Sequence, residues 1–135
     1  MGPETAEHIN IVNWFHYQFP ELADDFHHFA NERRTSLANG RLLKRMGVKK
    51  GVADFFLALP LNEKSGLWIE LKVNKNKATN EQVQFLLRKA ERGYEAKVVW
   101  GFEQAKNVIL DYLNDYIPIR SEKAPKNLFN GKPIC

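Results

Sequence analysis

Three residues at fixed spacing could do chemistry together: Asp54, Glu70 and Lys72, in the pattern D-x15-E-x-K. Asp54 is the only charge between Lys50 and Glu63, set in "GVADFFLALP", where nine of ten residues are apolar or small. A carboxylate in a segment built for burial is costly to desolvate unless something positive compensates it. In "LWIELKV" the side chains of a strand alternate, so Ile69, Leu71 and Val73 point one way and Trp68, Glu70 and Lys72 the other. Glu70 and Lys72 then share a face, about 6–7 Å apart at their Cα atoms. Pairing of the two segments as a hairpin brings Asp54 to the same face.

Two chemistries suit such a cluster. The first is an ordinary ion pair of Glu70 with Lys72, with Asp54 accepting from a backbone group. The second is a cation site. Two carboxylates held close repel unless a cation lies between them, and one lysine neutralises only one of them. A hard divalent ion, Mg²⁺ or Mn²⁺, suits carboxylate oxygens with few other ligands. Such an ion lowers the pKa of a bound water and stabilises charge building on phosphate oxygens, which is the chemistry of phosphodiester hydrolysis. A lysine beside it can orient the attacking water or bind the scissile phosphate. The second reading accounts for all three residue types, the first for two.

The elements that must position these residues are legible in outline. "ETAEHINIVNWFHYQFP" reads as a helix capped by Thr5 and stopped by Pro20, with Ile11, Val12, Phe15 and Phe19 on one stripe. "DFHHFANE" is a short-strand candidate. "TSLANGRLLKRMG" reads as a basic helix packing through Leu42, Leu43 and Met46 and closed by Gly47. "GVADFFLALP" and "GLWIELKV" are strands joined by the polar turn "LNEKSG". "ATNEQVQFLLRKAERGY" is a helix with Thr79 and Gln82 at capping-box spacing, burying Val83, Leu86, Leu87 and Ala90. "YEAKVVWG" is a strand, and "FEQAKNVILDYLNDY" a helix with Ala105, Val108, Ile109, Tyr112, Leu113 and Tyr116 on one face. Helices interleaved with strands predict an α/β layered domain around one mixed sheet. The domain is expected over residues 1–117, followed by a basic tail over 118–135.

With 135 residues, 44% hydrophobic and 27% charged, the chain fits one folded domain. No apolar run approaches the roughly 20 residues of a membrane span, and "MGPETAEHIN" lacks the features of a secretory signal. The single cysteine, Cys135, excludes an intrachain disulfide framework. A cytoplasmic protein is the expectation. Charge is unevenly spread: residues 1–31 carry a net −5 and residues 32–52 a net +6. Arg33, Arg34, Arg41, Lys44, Arg45, Lys49 and Lys50 make up the basic cluster, which suits a polyanion or, equally, a solvated helix face. Lys75 and Lys77 follow the Glu70 strand directly. These nine residues are expected to contact DNA phosphates without reading bases. The tail carries a net +3 and suits a DNA-grasping arm, a swapped segment or a disordered one.

Taken in order, "AEHINIVNW", "ANERRTS", "GVADFFLALP", "WIELKVNKNKATNEQ" and "RGYEAKVVWG" resemble the pattern of the virus-type replication-repair nuclease family, VRR-NUC, of the PD-(D/E)xK nuclease superfamily. The resemblance spans roughly residues 6–113 and is to small stand-alone phage and bacterial members. It departs from the family at Ala53, where a proline is usual, and at Ile11, where a glutamine is common. The resemblance implies a restriction-endonuclease-like mixed sheet flanked by helices. It implies metal binding by Asp54, Glu70, the Leu71 carbonyl and Glu7, with Lys72 as catalytic lysine and Gln82 near the site. Glu7 has an alternative role at a helix N-terminus, and Gln82 in the capping box. His27 and His28, adjacent on a strand, point to opposite faces, so with His8 they read as structural or surface residues. The function implied is a Mg²⁺- or Mn²⁺-dependent, structure-selective DNA endonuclease, a homodimer resolving four-way junctions, with no membrane partner. A 5′-flap endonuclease or exonuclease, and a non-catalytic DNA-binding module, are the alternatives.

Overall fold

The computed structural model describes residues 2–30 and 36–118. Arg33, Arg34 and all of the tail beyond Pro118 lie outside the described residues. Helix α1 runs Pro3–Gln18, followed by a 3₁₀ helix at Pro20–Asp25 and strand β1 at Phe26–His28. Helix α2 is Leu37–Arg45, and strands β2 and β3 are Phe55–Leu57 and Leu67–Lys72. Helix α3 is Asn80–Glu91, strand β4 is Glu95–Trp100 and helix α4 is Gly101–Tyr112. The sheet order is β1-β2-β3-β4. The first two pairings are antiparallel and β3–β4 is parallel, with α3 as the crossover. This is the expected α/β architecture with one mixed sheet.

The strand period divides the sheet's side chains between two cores. Phe26, Phe55, Leu57, Leu67, Ile69, Leu71 and Val99 meet Ile11 and Phe15 of α1 and Ala105 and Ile109 of α4. On the opposite face Ala53 and Trp68 meet Leu86 of α3, with Phe56, Phe85 and Tyr94 packed beside them. Every residue of β3 is therefore buried, as befits a central strand covered on both sides. Phe15, Phe26 and Phe55 stack in series, at 4.3 and 5.1 Å between centroids, and fasten α1 across β1 and β2.

Several local expectations are corrected. Thr5 is not the cap of α1: the helix starts earlier, at Pro3, whose missing N–H costs nothing at a first helical position. Helix α2 forms, capped by Ser36, which accepts from the Asn39 N–H at 3.1 Å, but it buries none of its residues. Leu42 and Met46 are exposed rather than packed, because α1, α4 and α3 already cover both faces of the sheet. In α3 the inward stripe is Gln82, Phe85, Leu86 and Lys89, while Val83, Leu87 and Ala90 face outward. That rotation follows from the Trp68–Phe85 contact at 4.9 Å and from Lys89 lying over Trp68, Phe85 and Tyr94.

Candidate active site

The hairpin register places Phe55 opposite Ile69, Phe56 opposite Trp68 and Leu57 opposite Leu67. One step further along, Asp54 stands across from Glu70, where the β2 backbone leaves the ladder. The Asp54 carbonyl there accepts from the Phe29 N–H at 2.7 Å. Its carboxylate folds over the end of the hairpin, and Oδ2 accepts from the Leu71 N–H at 2.8 Å. A buried backbone donor thus meets part of the cost of burying Asp54, and fixes the direction in which its other oxygen looks. The structure brings Asp54, Glu70 and Lys72 together as the alternation of side chains predicts.

Glu70 is fully buried, and Lys72 Nζ lies 3.0 Å from its Oε2. Neither Glu70 oxygen has a hydrogen bond of acceptable geometry, so the lysine neutralises the carboxylate without saturating it. Burial first, and the neighbouring Asp54 charge second, push the Glu70 carboxyl up to about 8, against the pull of Lys72. The ion-pair reading is correct as far as it goes. It leaves two acids, one amine and two lone-pair-bearing oxygens with nothing to accept, in the most buried strand of the sheet.

Glu7 lies on α1 and is half-buried, and its Oε2 is likewise buried without a hydrogen bond. Gln82 completes the capping box of α3: its Oε1 accepts from the Thr79 N–H at 2.8 Å, while its own N–H donates to Thr79 Oγ1 at 3.2 Å. The structural role is filled, and the Gln82 side-chain NH₂ is what remains for any other. Leu71 gives its N–H to Asp54, and its side chain belongs to the core. Of the basic residues, Arg41, Lys44, Arg45, Lys49, Lys50, Lys75 and Lys77 are all exposed. Two contacts tie their loops to the site. Gly51 packs so closely on Glu81, in the first turn of α3, that a Cβ there would lie 2.7 Å from the Glu81 backbone. The Trp100 indole N–H donates to the Asn76 carbonyl at 2.7 Å, holding the loop of Lys75 and Lys77 to the end of β4.

Two residues read as structural belong to the site's surroundings. His8 Nε2 is 3.7 Å from Asp54 Oδ2, and its ring meets that of His28 edge-on at 4.8 Å. Potential ligand atoms of His8, His28 and Asp54 lie within 4.8 Å of one another. Partial burial of the ring, and then the nearby His8, hold the His28 imidazole below its ordinary pKa, against the pull of Asp54, although the residue as a whole is exposed. The adjacency of His27 and His28 does argue against their sharing a site, but it is silent on His8 with His28. The available signal is the stripe His8–Ile11–Phe15, at i, i+3 and i+7, facing the alternate positions Phe26 and His28.

The donors fit a divalent cation. Both buried oxygens of Glu70, beside Asp54, lack hydrogen bonds, as does one oxygen of Glu7 on α1, and oxygens of this kind are hard ligands. No protein-family model matches the chain, and no curated protein does. Among solved structures it is similar to a "VRR_NUC domain protein", with a TM-score of 0.73 and 29% identity over 84% of this chain and 90% of that one. Sheet order, the hairpin that gathers the acids and this likeness agree that the chain has the fold of that VRR-NUC domain protein, and the likeness supports a nuclease-family function.

Proposed function

We propose that the chain is a Mg²⁺- or Mn²⁺-dependent, structure-selective DNA endonuclease acting as a homodimer on four-way junctions. One observation carries the metal-dependent reading. Glu70, fully buried beside Asp54 and 3.0 Å from Lys72, leaves both its oxygens without a hydrogen bond. Asp54, Glu70, the Leu71 carbonyl and Glu7 would hold the ion. When bound, it supplies a water of lowered pKa and positive charge against the phosphate.

The chain's own residues do the rest. The Leu71 N–H orients Asp54. Lys72, with its amine already at the carboxylate, donates to the attacking water or to a non-bridging phosphate oxygen. The Gln82 NH₂ is a further donor at the α3 end. Lys49, Lys50, Lys75 and Lys77, exposed on the loops flanking the site, neutralise the phosphates of the strand passing over it. A two-fold dimer would set two such sites across a branched substrate. Helix α2 supports this assembly: nine residues that bury nothing within the chain make a marginal helix in water, and a second copy would secure it.

Cleavage of synthetic four-way junctions, flaps and linear duplexes in Mg²⁺, Mn²⁺ and EDTA tests the reading, together with sedimentation of the free protein. Symmetric nicking of the junction by a dimer, lost in EDTA and in Asp54→Asn, is the expected result. Intact junctions with nicked flaps would replace the junction reading by the flap reading. Binding without cleavage in any metal would leave only a DNA-binding module.

A further inference from the structure

We propose that His8, His28 and Asp54 form a second cation site, one that takes a borderline transition ion such as Zn²⁺ or Co²⁺ and not Mg²⁺. Each residue comes from a different element. His8 lies on the inward stripe of α1, His28 ends the edge strand β1, and Asp54 precedes β2. Their candidate ligand atoms already lie within 4.8 Å of one another. Atoms bound to one tetrahedral ion at zinc–ligand distances lie about 3.4 Å apart, so closure draws the widest pair together by roughly 1.4 Å, within reach of side-chain rotation. Two imidazole nitrogens and one carboxylate are a donor set for Zn²⁺, Co²⁺ or Fe²⁺, whereas Mg²⁺ keeps to oxygen.

Packing orients the rings before any ion arrives. Phe55 lies against both, 5.3 Å from the His8 ring and 4.9 Å from that of His28. Phe55 is itself held in the stack with Phe26 and Phe15. The His8–Asp54 distance of 3.7 Å is too long for a hydrogen bond, so it leaves room to be drawn in around an ion. His28 is exposed, which opens the site to solvent from the sheet edge. Asp54 would then be common to two sites of different chemistry, the oxygen-rich one with Glu70 and the nitrogen-rich one with the histidines. That sharing rests on the nuclease reading. The existence of the histidine site does not.

The test uses the metal alone, without DNA, on the full chain in a Cys135→Ser background that removes its single thiol. Co²⁺ titration followed by visible absorption, and Zn²⁺ titration followed by calorimetry, are expected to show one tight site. His8→Ala and His28→Ala should each weaken it at least tenfold, with His28→Asn as a second, milder variant should the alanine disturb β1. Glu70→Gln should leave Co²⁺ binding in place. Absence of Co²⁺ binding, binding unchanged in both His28 variants, or binding lost equally in Glu70→Gln would each overturn the proposal. Because no cleavage is read, failure of the nuclease reading leaves this test intact.

Discussion

At the scale of single residues, Glu70 sets the behaviour of the site. Its carboxyl is held up to about 8 from an ordinary 4.5. Over the range between those values the folded chain retains a proton that the unfolded chain has lost. Folding is therefore stabilised less and less as pH rises through that range when divalent ions are withheld. His28 works in the other sense: with its pKa lowered from 6.5, it costs stability as pH falls below that value. Urea unfolding in EDTA between pH 6.5 and about 8 isolates the first effect. The wild-type chain should lose stability across it, and Glu70→Gln should be flatter and, at the upper end, more stable by about 1–3 kcal/mol. The same variant should cleave DNA on the order of 10²-fold or more slowly. Stability and activity moving in opposite directions at one position is the signature of a charge kept for chemistry.

At the scale of elements, the joints that present the site are local and testable. Thr79→Ala removes one half of the capping box and should cost about 1 kcal/mol in thermal or urea unfolding. The variant keeps the backbone N–H that donates to Gln82 Oε1, so cleavage should fall by no more than the unfolded fraction. Gly51 has φ +82° and sits where a methyl group would meet the Glu81 backbone at 2.7 Å. Gly51→Ala should therefore cost about 1–3 kcal/mol by the same measurement and displace the first turn of α3. These joints also show what could be read in advance. The capping box, the hairpin and the face shared by Glu70 and Lys72 rest on spacing within one segment, and alternation decides them. The rotation of α3 and the exposure of α2 depend on which faces of the sheet other helices already cover. The meeting of His8 with His28 depends on how α1 lies across β1. Patterns inside one segment do not carry such relations.

At the scale of the whole molecule, the cores and the charges divide the work. The α1/α4 face is apolar except at its His8–His28 end, and the α3 face mixes Leu86 and Trp68 with Glu70 and Lys72. No helix among the described residues is long and apolar enough to cross a membrane. The exposed cations of α2 and of the loops at 49–50 and 75–77 make DNA binding a matter of counterion release in the proposed function. Arg41→Glu with Lys44→Glu should then weaken junction binding at least about tenfold at moderate salt and flatten its salt dependence, by gel shift. The indole that grips Asn76 has a further bearing here. It pins a pair of ammonium groups at the rim with a single donor, so their order is obtained without any rigid element of their own. Swapping that indole for a phenyl ring would leave melting nearly untouched, yet each encounter with a phosphate strand would have to organise a slack loop anew.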